Sequence, residues 1–270
     1  MTFAPQPQGG NGFNQQPNSQ YNMQYAQQYG YAPDGTAAIN TQATYAFEEA
    51  QRISVTKAYG EMTIGLIITA VVAVLAQMSG AYVSFLQATG LIGFLLFAVV
   101  QVGLAMFLGA RIMTIKASTA RVMFYVYAAL MGFTLSSIFM IYDLGSIGVA
   151  LALCAAFFFV LTMFGMTTKI NMLKAGPILL IGLIVLVVAE LLLMFLFPGN
   201  TTMMIVSAIG LVLFAAMTVH DAQQTRAIFA NYASAGPEMV KKVSVICALN
   251  LYLDFVNMFL YILQLLGNRE

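Results

Sequence analysis

From about residue 60 onward, apolar residues come in runs of about 20 separated by short polar breaks, near residues 62–85, 91–110, 122–142, 146–166, 177–197, 203–225 and 243–266. A helix rises about 1.5 Å per residue, so a run of about 20 crosses the roughly 30 Å hydrocarbon layer of a bilayer. The breaks are rich in residues that end apolar helices: "QATG" after the first run, a basic stretch from Arg111 to Arg121 after the second, "DLGS" after the third, "TTKINMLKAGP" after the fourth and "FPGNTT" after the fifth. The pattern predicts an all-α integral membrane protein with seven transmembrane helices.

Composition agrees. The 270 residues are 60% hydrophobic and 8% charged, with a mean hydropathy of +0.84, which leaves too little polar surface to coat a soluble globule. The net charge of +1 offers no footprint for nucleic acid. Residues 1–50 stand apart from the membrane domain of residues 51–270: up to about residue 45 they are rich in Gln, Asn, Gly, Pro and Tyr, with no charge before Asp34. Such a composition predicts a disordered tail, and it has neither the basic start nor the apolar core of a signal peptide.

The placement of positive charge orients the bundle. With seven spans, Arg52, Lys57, Arg111, Lys116, Arg121, Lys169, Lys174, Arg226, Lys241 and Lys242 all fall on one side, and Arg269 alone falls on the other. That asymmetry predicts a cytoplasmic N-terminus and an exoplasmic C-terminus. G-protein-coupled receptors are excluded because their N-terminus lies outside, and retinal proteins because the seventh span lacks a lysine for the Schiff base.

Cys154 and Cys247 lie in apolar runs without metal-binding spacing and read as packing residues, and a single histidine excludes multi-histidine metal sites. Without tryptophan, an interfacial aromatic belt falls to tyrosines such as Tyr82, Tyr142 and Tyr232.

The candidate chemistry lies in the last two spans. In "ALNLYLDFVNMFLYILQLLG", residues 248–267, Asp254 sits near the middle of an apolar helix, and a carboxylate at that depth marks a functional site or a paired interior group. Ser244, Cys247, Asn250, Asp254, Asn257, Tyr261 and Gln264 recur at three- and four-residue steps, so they form one polar face. Interhelical hydrogen bonding alone accounts for such Asn and Ser residues; the central aspartate adds a polar pathway or proton site. The sixth span places Ser207, Gly210, Thr218, Asp221, Gln224 and Thr225 on one side, and the topology brings Asp221 level with Asp254. Two carboxylates in contact at low dielectric resist ionising together, so they share a proton and titrate as a unit. They also suit transient binding of a hard cation such as Ca²⁺.

Other polar groups are assigned smaller parts. Asn250, Asn257 and Thr218 are expected to line the pathway. Arg111, at the same end, either pairs with Asp221 or snorkels to headgroups. His220, about 100° round the helix from Asp221, is expected at the interface rather than as its partner. Glu190 is expected too far toward the outer side to join the pair.

The run containing Asp254 closely resembles the last-helix motif of the Bax inhibitor-1, or transmembrane Bax-inhibitor-motif, family. "GLVLFAAMTVHDAQQTR", "VYAALMGFTLSSIF" and "FVLTMFGMTTK" resemble its sixth, third and fourth helices. The resemblance covers about residues 50–267. It implies six helices around a central seventh, in a bacterial inner membrane, and a pH-sensitive calcium leak channel rather than an enzyme. Its sensor would be Asp221 and Asp254, latched by Arg111, with no tightly bound cofactor and Ca²⁺ as the transported ion. Departures from the pattern are the long "AIFANYASAGPEMVKK" connection, Gln264 in place of an arginine, Asn171 in place of an aspartate, and the extra Glu190. The alternative function is that of a regulatory membrane protein that modulates a membrane quality-control protease, as is implied for some bacterial relatives, or another membrane protein, or a cell-death or stress response, with the N-terminal tail as the contact. An intramembrane aspartyl protease also carries aspartates on helices six and seven, but "LYLD" lacks the glycines of GxGD and no PAL motif follows.

Overall fold

The computed structural model describes residues 41–196, 199–232 and 236–267, and every regular element among them is helical. The helices are α1 (Thr41–Met78), α2 (Ala81–Arg111), α3 (Ala117–Leu135), α4 (Leu144–Thr167), α5 (Gly176–Leu196), α6 (Asn200–Tyr232) and α7 (Pro237–Leu266), with short 3-10 turns at Ser136–Met140 and Met172–Ala175. All seven are long and apolar enough to cross a membrane. Residues 1–40, including most of the expected tail and its suggested partner contact, lie outside the described residues, and helix is already present at Thr41.

Residues 50–270 form one compact unit, with α7 at its centre. In the apolar stretch of α7, 72% of residues are buried, against 6–33% in the other six spans. Leu251, Tyr252, Met258 and Leu263 share one buried apolar cluster with Met62 of α1, Phe124 of α3, Ile138 of the 3-10 turn that follows it and Phe158 of α4. The Tyr252 hydroxyl lies 2.7 Å from Thr69 Oγ1, which also bonds the Ala128 carbonyl, so one polar knot joins α1, α3 and α7. Elsewhere the outer helices present bare Leu, Ile, Val and Phe side chains, as a surface facing hydrocarbon requires.

Two glycines set close helix crossings. A Cβ at Gly132 would come within 2.4 Å of the Thr69 carbonyl oxygen, and one at Gly165 within 2.8 Å of the Val219 carbonyl oxygen and 2.9 Å of Ala222 Cβ. Small residues allow such backbone approach, bringing α3 onto α1 and α4 onto α6.

The basic end is tied together by polar contacts. Lys242 Nζ donates to the Met113 carbonyl (3.1 Å), the Ala117 N–H donates to Glu238 (2.9 Å), and Arg226 donates to the Met166 carbonyl (3.0 Å). Glu61 binds Arg121 (2.5 Å) and accepts from the Tyr125 hydroxyl (2.6 Å). At the opposite end Asp143 caps α4, accepting from the Ser146 N–H (2.9 Å) and hydroxyl (2.6 Å). These two bonds, the hydroxyl's first, hold its carboxyl below the usual carboxylate range.

The first two spans depart from the hydrophobic pattern. α1 ends at Met78 rather than near residue 85, because Gly80 turns the chain in the left-handed region (φ 65°). Residues 81–89 then form a separate helical piece, and Gly90 (φ 60°, ψ −157°) breaks it from the span that follows. "QATG" is therefore a kink inside α2, not the end of the first helix. The intervening piece is anchored by aromatics: Phe85 meets Phe97 and Phe133 at 5.7 and 5.6 Å, and Tyr82 meets Phe133 at 5.6 Å. Tyr82, expected in an interfacial belt, is buried in this cluster.

Candidate functional site

Asp254 is 1% exposed and its Oδ2 has no hydrogen-bond partner. Asp221, on the neighbouring α6, is 8% exposed. Both line one cavity of about 280 Å³ between α5, α6 and α7, together with Asn250, Asn257, Tyr261 and Glu190. Helical periodicity accounts for the α7 contribution: positions 250, 254, 257 and 261 follow one another around a single face.

Several residues stand where the sequence did not put them. His220 is the partner of Asp221: its Nδ1 lies 2.7 Å from Asp221 Oδ1. Backbone angle separates neighbouring side chains by about 100°, but Asp and His are long enough to reach round the helix surface to each other. The ring is held inward by α5, where a Cβ at Gly176 would come within 2.8 Å of His220 Nε2. Arg111 is exposed at the end of α2 and makes no ion pair with Asp221 among the described residues. Thr218 is fully buried, but its hydroxyl donates to the Phe214 carbonyl of its own helix, and it does not line the cavity.

Glu190 also departs from expectation, since it shares the cavity with both aspartates. It accepts a 2.6 Å hydrogen bond from the Tyr261 hydroxyl of α7. α5 rests on α6 and stands off α7, so Glu190 reaches the site across a gap rather than along a packed surface.

Tyr59 was not singled out by sequence. Its hydroxyl, on α1, faces Thr162 of α4 and lies within electrostatic range of Cys247, Asp254 and Asp221. Cys247 in turn faces Thr225 and Asp221. Starting the first span at residue 62 left Tyr59 in a polar flank, whereas the helix runs through it and carries it inside the span Val55–Met78. Both cysteines are free and buried. Polar groups thus form a column: Thr225, Cys247 and Tyr59 on the basic side, the aspartates in the middle, and Asn257, Glu190 and Tyr261 beyond them.

These features define an integral membrane protein of seven helices with a buried carboxylate pair on its last two. Residues 51–270 match the family model described as "Inhibitor of apoptosis-promoting Bax1". The inner membrane protein YbhL of Escherichia coli is 35% identical over 214 residues, covering 78% of this chain and 90% of its own. An uncharacterised protein of Borreliella burgdorferi is 34% identical over 214 residues, covering 79% and 91%, and one of Rickettsia prowazekii is 31% identical over 224 residues, covering 83% and 93%. The chain belongs to the Bax inhibitor-1 family.

Proposed function

We propose that this protein is a Ca²⁺ leak of a bacterial inner membrane, gated by a proton shared between Asp221 and Asp254. The observation that carries the reading is the cavity lined by both carboxylates, with Asp254 Oδ2 buried and unpartnered beside it. An isolated charged oxygen at this depth costs several kcal/mol, roughly, so a proton or a passing cation is the natural occupant. Two facing carboxylates supply the hard oxygen ligands that Ca²⁺ takes, held transiently rather than in a closed cage.

The gate follows from the pair's position on adjacent helices. With one proton between them, the aspartates hold α6 and α7 together. When it leaves, two like charges at low dielectric drive the helices apart. The groups facing the pair are His220 on α6, Tyr59 on α1, Cys247 and Tyr261 on α7, and Glu190 on α5. The side chain in contact with Asp221 is His220, at 2.7 Å. The direction expected is conduction that rises with pH.

Proteoliposomes holding the full chain and a Ca²⁺ indicator test this across pH 5 to 8. Wild type is expected to leak more as pH rises, and Asp221→Asn and Asp254→Asn to lose that dependence. If both variants keep the wild-type profile, the shared-proton mechanism is wrong. If wild type conducts no cation at any pH, the leak itself is wrong.

A further inference from the structure

The gap between α5 and α7 does not end at the aspartate pair. A second cavity of about 340 Å³ adjoins the first, and the two share Val187, Glu190, Asn257 and Tyr261 as walls. The second one continues to Gln264 and Met203, toward the end of the bundle that is poor in basic residues. Glu190 therefore stands at the junction. Tyr261 is seven residues beyond Asp254, about 10 Å along the helix axis.

The geometry at the junction is fixed from α6. A Cβ at Gly210 would come within 2.5–2.7 Å of three Tyr261 ring atoms, so only glycine leaves room for the ring. Phe214 braces it at 5.8 Å between centroids. Held this way, the Tyr261 hydroxyl engages one oxygen of Glu190. In the outer cavity, the other Glu190 oxygen and the amide oxygens of Asn257 and Gln264 are oxygen donors available to a hard cation. On the inner side the same space is lined by Asp254, whose Oδ2 is buried without a hydrogen-bond partner.

We infer that Glu190, with Asn257 and Gln264, is a second cation station on the outer side of the aspartate pair, closed in the absence of a cation by the Tyr261–Glu190 hydrogen bond. This rests on the leak reading for its role, but the binding site has its own chemistry and its own test. Conduction needs sites that hold an ion yet release it, and one carboxylate with amide oxygens is a weak site of that kind. An alternative is that Glu190 and Tyr261 merely fasten α5 to α7.

Two substitutions separate these. Glu190→Gln keeps an acceptor for the Tyr261 hydroxyl and removes the charge, whereas Tyr261→Phe removes the bond and keeps the charge. Terbium(III), a Ca²⁺ probe excited through neighbouring tyrosine, gives a readout other than flux in the solubilised full chain, which has no tryptophan. The station predicts that Glu190→Gln weakens terbium binding by on the order of tenfold, since affinity follows ligand charge, and slows Ca²⁺ flux. Tyr261→Phe is expected to raise flux. A mere fastener predicts unchanged terbium emission and flux in Glu190→Gln and lowered thermal stability in Tyr261→Phe, and that outcome overturns the station. If Glu190→Gln cannot be purified, Glu190→Asp keeps the charge while shortening the reach to Tyr261. It is expected to bind terbium and leak faster, and loss of both overturns the proposal. Terbium binding lost in Glu190→Gln but kept in Asp254→Asn, with no flux in wild type, supports the station while the leak reading fails. Normal pH-gated flux in wild type with Glu190→Gln identical to it in both readouts overturns the station and leaves the leak standing.

Discussion

Asp254 carries a charge-bearing group into the most tightly packed helix of the molecule and leaves one oxygen without a partner. Replacing it with asparagine removes the charge at constant shape. Asp254→Asn is therefore expected to melt no lower than wild type in detergent while losing pH-dependent flux, which thermal denaturation and the liposome assay check together. Tyr252→Phe is the contrasting case: its hydroxyl joins Thr69 at 2.7 Å, and interhelical bonds of this kind contribute about 0.6 kcal/mol on average. A small loss of stability without change in the pH profile is expected. Asp143 gives a residue-scale pH test outside the spans. Its folded carboxyl lies below its unfolded range, so its contribution is present above the unfolded value and fades as pH falls through the folded one. The melting temperature of wild type should thus approach that of Asp143→Ala in acid, and a constant difference between them down to about pH 2 would refute the assignment. At this scale the sequence exposed the two aspartates and the polar face of α7, because helical spacing is arithmetic. It hid the His220 contact and the role of Tyr59, because those depend on side-chain reach and on where a helix truly begins.

Among the elements, the close crossings at Gly132 and Gly165 decide which helices meet. Gly165→Leu forces a side chain into the Val219 backbone and separates α4 from the helix that bears Asp221. Overpacking of this kind costs about 1–3 kcal/mol, so a lowered melting temperature with altered gating is expected, and an unchanged melting curve would contradict the crossing. Gly90 offers a second case. Its φ of 60° with ψ of −157° is a region that only glycine occupies readily, so Gly90→Ala should destabilise the kink although nothing lies within 4 Å of the added carbon. The apolar runs located all seven spans, since crossing hydrocarbon leaves a length that composition must honour. They misplaced the start and end of α1 for two physical reasons. Lys57, Tyr59 and Glu61 look like a flank but continue a helix whose polar groups find partners, as Glu61 does in Arg121 and Tyr125. The aromatic residues of 81–89 look like bilayer residues but pack against Phe97 and Phe133.

For the molecule as a whole, the basic residues gather at the end where Lys242, Arg226 and Arg121 bind carbonyls and a carboxylate. A reporter fused after residue 270 is expected to read exoplasmic and one before residue 1 cytoplasmic; the reverse would invert the proposed path. The radial order of the bundle has a further consequence for heredity. α7 touches protein on nearly every side, whereas α5 is almost bare around its circumference. A saturation mutagenesis library selected for folded protein should therefore accept almost any apolar residue along most of α5, apart from Gly176, Gly182, the buried Leu186 and Glu190, and reject most exchanges along α7. On these grounds the helix that forms one wall of the two cavities is expected to tolerate the most substitution, and the helix at the axis the least.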